Sequence, residues 1–193
     1  MKTIFADIDT QLDFVSPAGA LYVSGAELIL DRIVRLNRWA AENDVLVIST
    51  MDAHAENDPE FANWPAHCVA GTLGQRKAVA TLLDRRMVVP TCPGEYPIGR
   101  AQQVVIEKQQ LDCFTNPNLS GMLERLRADR FVVYGVATEY CVRCAAMGLL
   151  QSGKRVEVIT DAVKSISDDA SKQMIEEFVD AGGTLTTFAA ITA

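Results

Sequence analysis

Five short apolar runs, at residues 3–8, 45–50, 103–107, 131–135 and 155–160, and a threonine-rich sixth segment at 184–188 alternate with stretches of helical periodicity. The runs are rich in Val, Ile and Phe, and too short for helices. They read as strands buried on both faces. Residues 26–43 place Leu28, Ile29, Ile33, Leu36, Trp39 and Ala40 on one side of a helix. Residues 118–128 do the same with Leu119, Met122, Leu123 and Leu126, and Asn118 is a candidate cap. Further helices are expected at 139–152 and at 168–181, the last stopped by Gly182 and Gly183. Residues 51–74 lack periodicity. Residues 75–99 combine a helical stretch near 78–85 with Pro90, Pro93 and Pro97, the mark of an ordered loop. Strands alternating with helices imply right-handed crossovers. The expected fold is a three-layer α/β/α, Rossmann-like arrangement around a six-stranded, mostly parallel sheet, with residues 1–193 as one domain.

In such a sheet ligands bind beyond the C-terminal strand ends, where strand order reverses. Asp9 follows the first run, Asp52 and His54 the second, Lys108 the third and Cys141 the fourth. Around Cys141 a strand leads through Gly135 into helix character from Glu139. The thiol thus falls in the first turn of a helix, where partial positive charge is expected to lower its pKa. Cys141 is read as a nucleophile. Asp9 within hydrogen-bond reach could take the thiol proton, and Lys108 beside it would keep the carboxylate ionised. Cys141 and Cys144 also fit a C-x-x-C pattern, but Cys68, Cys92 and Cys113 supply no second pair, which argues against a four-cysteine metal site. Cys144 is read as a core residue of the helix.

The irregular segment holds both histidines of the chain, His54 and His67. Asp52 and His54, two apart in extended backbone, point to the same side. His67 could add a third ligand, and Glu60 lies between. Three N/O ligands with open positions suit a catalytic divalent site rather than a structural one.

Composition narrows the partners. A net charge of −7 opposes binding to phosphate backbones, so no nucleic acid is expected. No apolar run approaches a membrane span, so no membrane is expected either. The first residues turn acidic and lack a signal-peptide core, and the cysteine count of 5 is odd. Both point to a reducing cytoplasm.

Four segments together carry a resemblance. Asp9-Thr-Gln-Leu-Asp-Phe14, Asp52-Ala-His54 with Trp64-Pro-Ala-His67-Cys-Val-Ala-Gly-Thr, Lys108, and Gly135-Val-Ala-Thr-Glu-Tyr-Cys141-Val occur in the order and spacing of the isochorismatase-like cysteine hydrolases. Within that family they resemble the nicotinamidases. The resemblance implies an amidohydrolase of pyridine nucleotide salvage, acting on a small amide. Cys141 would attack the carboxamide and form a thioester, Asp9 would shuttle the proton, and Lys108 would orient Asp9. It implies a cis peptide at Val136–Ala137 and an oxyanion hole from the N–H groups of Ala137 and Cys141. It implies one divalent ion (Zn favoured over Fe, Mn or Mg) on Asp52, His54 and His67, with Glu60 standing where some relatives have another histidine. Phe14 and Trp64 resemble the aromatic walls of the pocket, and Phe114 is the nearest aromatic where relatives often place a tyrosine. Relatives in this family are often homo-oligomers.

Three other readings compete. A relative in the same family could act on another small amide or carbamoyl compound. Asp7-Ile-Asp9 resembles the opening of haloacid-dehalogenase-type phosphatases, but Gln11 and Ser165 break that pattern and both histidines would be idle. A thiol-redox module would rest on Cys141 and Cys144 alone. Asp7 is read instead as a strand residue meeting a polar partner.

Overall fold

The β-branched runs pair through their backbones into one parallel sheet. The computed structural model describes residues 1–193. Its strands are β1 (Thr3–Ile8), β2 (Leu46–Asp52), β3 (Arg86–Val89), β4 (Gln103–Lys108), β5 (Arg130–Val136), β6 (Arg155–Lys164) and β7 (Thr184–Thr186). Their order is β3-β4-β2-β1-β5-β6-β7, and every neighbouring pair is parallel. The chain winds outward from β1 to one edge and then returns to build the other. β1 is therefore the switch point, and the loops after β1, β2 and β5 open the crevice there.

The helices are α1 (Leu12–Val15), α2 (Leu30–Glu42), α3 (Leu119–Leu126), α4 (Arg143–Gln151), α5 (Asp168–Asp180) and α6 (Phe188–Thr192). Alternation along β1 assigns the faces. Ile4, Ala6 and Ile8 point to the layer of α3, α4 and α5, and Phe5 points to α2 and α6. Burying both faces is what the apolar runs require.

The sheet has seven strands, not six. The extra one, β3, is a four-residue edge strand. It carries Arg86, is followed by Pro90, and is partly exposed, so no alternation marks it. Only its pairing with β4, from Arg86–Gln103 to Val89–Ile106, defines it. Asn118 does not cap α3 with its side chain. Its Oδ1 accepts the Gly94 N–H, and its Nδ2 donates to the carbonyls of Pro90 and Cys92, at 3.0 Å each. It ties down the proline-rich loop instead.

Asp7 does meet polar partners. It is fully buried and accepts from Thr10, Asn37 and Ser49. Lys77, also buried, lies 3.4 Å away and donates to the Thr50 carbonyl. No helix of the structure is long and apolar enough to cross a membrane.

Gly135 lets β5 pass β1 before the nucleophile turn. Its φ is +124°, and an added Cβ would lie 2.1 Å from the Ile8 carbonyl oxygen. Gly135→Ala should destabilise the protein by more than about 2 kcal/mol in urea unfolding, because backbone there cannot yield cheaply. Wild-type stability in that variant would contradict the packing described.

Candidate active site

Strand register brings the charged residues together. Asp52 and Lys108 are register partners across β2 and β4, so their side chains leave the sheet on the same side. Lys108 Nζ donates to Asp52 Oδ1 and lies 2.9 Å from Asp9 Oδ2 and 3.5 Å from Cys141 Sγ. All four residues are buried. Asp9 adopts φ +46°, a left-handed conformation that aspartate tolerates better than most residues. Thr50 donates its hydroxyl to Asp9 Oδ1 at 2.6 Å and accepts the Asp9 N–H at 3.1 Å. Asp9 Oδ2 forms an ion pair with Lys108 Nζ and has no other polar partner. That oxygen is left free to accept a proton from the thiol.

Burial pushes the Cys141 thiol well above the ordinary range; Lys108 opposes this, and Asp9 and Asp52 add to it. The helix start after β5 does not lower it as the sequence suggests. Residues 138–142 form a π turn ahead of α4, and loss of solvent is the largest effect on the thiol. Burial also raises the Asp9 carboxyl, against the pull of Lys108. Burial works against charge on Lys108, but Asp52 and Asp9 outweigh it and hold its pKa well up. The cluster therefore keeps a fixed cation beside a neutral thiol and a carboxyl of raised basicity. Thiolate forms here only by direct handover to a base.

The metal loop is folded back on itself. His54 N–H donates to the Cys68 carbonyl and Ala70 N–H to the His54 carbonyl, which lays His67 beside His54 with ring centroids 4.9 Å apart. Asp13 secures this loop by accepting the Cys68 N–H at 2.7 Å. His54 Nδ1 is 3.0 Å from Asp58 Oδ2, and His67 Nδ1 is 2.8 Å from the Pro65 carbonyl. Engaging Nδ1 in both rings directs the Nε2 lone pairs to a ligand. His54 Nε2 is buried and has no hydrogen-bond partner; Asp52 Oδ2, at 3.8 Å, is too distant. Ligand atoms of Asp52, His54 and His67 all lie within 4.8 Å of one another. Burial disfavours charge on His54, but Asp52 and Asp58 outweigh it and raise its pKa to about 9. Buried N/O donors converging on an orphaned imidazole nitrogen fit a divalent cation. Glu60 falls in a separate group with His54 and Asp58, facing His54 rather than completing the first three.

Between the two clusters lies a narrow, mostly apolar cavity. Cys141, Asp52 and His67 line it, with Glu60, Val136 and Ala137. Phe14 and Trp64 contribute walls, and Tyr140 meets Trp64 edge-on at 5.3 Å. The Val136–Ala137 peptide is cis, and the Ala137 N–H has no acceptor in the backbone network. Phe114 does not reach the cavity. It packs so close to α4 that a Cβ on Gly148 would lie 2.4 Å from its ring. Leu111, earlier in the same loop, lines the cavity in its place. Cys144 is half-buried and lies outside the cavity.

Sequence reasoning missed three supports. Gln11 grips Asp52 twice, accepting its N–H at 2.7 Å and donating to its carbonyl at 2.9 Å. Thr50 holds Asp9, and Asp58 holds His54. Gln11 lies within the Asp9–Phe14 motif, which is its signal in the sequence. Thr50 carries none, since its partner lies 41 residues away and is set by the fold; Asp58 offers only its place four residues after His54.

This geometry has counterparts. A family model described as the isochorismatase domain matches residues 95–190. The nicotinamidase of Escherichia coli (strain K12) is 28% identical, over 94% of this chain and 93% of that protein. The maleamate amidohydrolase of Pseudomonas putida is 25% identical, over 81% and 69%. The structure of the pyrazinamidase of Pyrococcus horikoshii in complex with zinc matches with a TM-score of 0.81 at 28% identity, over 97% and 99%. This chain belongs to the isochorismatase family of hydrolases. It is an amidohydrolase of that family, similar to the nicotinamidases.

Proposed function

We propose that the protein hydrolyses nicotinamide to nicotinic acid and ammonia through a thioester on Cys141, as one domain spanning residues 1–193. The observation that carries this is Asp52. It accepts from Lys108 in the thiol cluster and also belongs to the histidine cluster across the cavity. A reacting carboxamide and a ring nitrogen can therefore be held at once, one at each end of an apolar slot.

The steps follow from the residues. Asp9 Oδ2 takes the Cys141 proton as sulfur attacks the amide carbon. The N–H groups of Ala137 and Cys141 face the developing oxyanion. Lys108 stays charged and holds Asp9 in place. The tetrahedral adduct collapses as Asp9 returns the proton to departing ammonia, leaving the thioester. Asp9 then removes a proton from water, which attacks the thioester carbonyl, and nicotinic acid leaves as sulfur regains its proton. Asp52, His54 and His67 would hold a divalent ion, with zinc the best match to two imidazoles and a carboxylate. Such an ion would supply a Lewis-acid site for the pyridine nitrogen, while Phe14 and Trp64 flank the ring. The product suits pyridine nucleotide salvage, and the five unpaired cysteines suit a cytoplasmic setting.

Ammonia release from nicotinamide and from maleamate, before and after chelation, tests this reading. Nicotinamide should be turned over, with loss of most activity on chelation and recovery on adding Zn²⁺. Elemental analysis should find about one divalent ion per chain. Turnover of maleamate alone, indifferent to chelator, would refute it.

A further inference from the structure

Ile166 is a large apolar side chain, 50% exposed, that nonetheless lines the active-site cavity. Burial does not hold it there. Glu139 does: its Oε1 accepts the backbone N–H of Ile166 at 2.9 Å and of Ser167 at 2.7 Å. Ser167 in turn caps α5 by accepting the Ala170 N–H. Glu139 stands two residues before Cys141, in the turn that presents the thiol. Its neighbour Tyr140 forms another wall of the cavity against Trp64. One dipeptide thus supplies a wall and fixes a second one that comes from a different loop. The other carboxylate oxygen, Oε2, is buried without a partner. A half-satisfied carboxylate is a costly way to join two loops if scaffolding is all that is needed.

We propose that Ile166 is a specificity-determining residue that closes the cavity over the substrate ring, and that Glu139 is the positioning residue that sets the width of the slot. The substrate in this statement rests on the nicotinamide reading above; the wall itself does not. A flat ring beside Cys141 would shelter Ile166 from water, so binding gains from its burial. Extra carbon on the ring edge facing Ile166 would collide with a side chain whose backbone is held at two points.

The test compares wild type with Ile166→Ala, Glu139→Ala and Glu139→Gln through two ratios. One is kcat/KM for the most favoured ring-methylated nicotinamide relative to nicotinamide, by ammonia release. The other needs no turnover: the rate of Cys141 labelling by N-benzyl iodoacetamide relative to iodoacetamide, by peptide mass spectrometry. Ile166→Ala should raise both ratios about tenfold, with the loss on nicotinamide itself falling on KM rather than kcat. Glu139→Ala should reproduce this with Ile166 intact. Glu139→Gln keeps an acceptor oxygen and should change the ratios much less. An unchanged labelling ratio in Ile166→Ala overturns the wall. A shift in Ile166→Ala without one in folded Glu139→Ala overturns the positioning role. Shifted labelling ratios in the variants, beside a wild type that releases no ammonia from nicotinamide, support the wall and overturn only the substrate assignment.

Discussion

Cys141→Ala should keep its fold and lose amide hydrolysis by at least about 10⁴-fold, since no other group near the cavity can form the acyl intermediate. The substitution removes one buried sulfur, so thermal melting should change little. Asp9 and Lys108 remain paired around the gap. Cys141→Ser should be nearly as inactive. A hydroxyl proton is far less acidic than a thiol proton, and Asp9, even with its basicity raised by burial, is too weak a base for it. Ammonia release from nicotinamide, with melting curves for each variant, checks both. A Cys141→Ala rate within tenfold of wild type would end the thioester mechanism.

Lys108→Met should cost about 3–5 kcal/mol of stability and most of the activity. Lys108 is fully buried, and two buried carboxylates, Asp9 and Asp52, converge on it. Methionine fills much of the space but leaves those acids without a counter-charge. The penalty should depend on pH in a stated direction. Burial already raises the Asp9 carboxyl in the folded protein, and losing the cation raises it further. A group with a raised folded pKa adds stability while protonated and withdraws it as pH climbs through that pKa. The gap between variant and wild type should therefore narrow as pH falls from 8 toward 5. Denaturant unfolding across that range measures it. A gap that widens on acidification would show that Lys108 does not serve as their counter-charge.

Much of this is legible in the amino-acid sequence. The five inner strands, β1, β2, β4, β5 and β6, are marked by runs of branched apolar residues, which are satisfied only under two layers of helix. Asp9, Lys108 and Cys141 each stand at the end of such a run, and parallel strands bring their ends to one side. β3 escaped because its definition lies in β4. Phe114 was misplaced because chain position after Lys108 does not say which way the loop turns; the glycine at 148 makes room for it against α4. The thiol pKa is raised rather than lowered because burial strips water from the sulfur, which no local pattern around Cys141 reveals.

The order of residues along the chain was enough to decide the layered parallel fold and the chemical types gathered at its switch point, because hydrophobic period and strand polarity are local properties. Distances were decided only by folding. That Asp52 serves two clusters, that Thr50 stands behind Asp9, and that Glu139 holds Ile166 at the cavity mouth all join residues far apart in the chain. Such contacts depend on how far each strand slides past the next, and no local pattern records that.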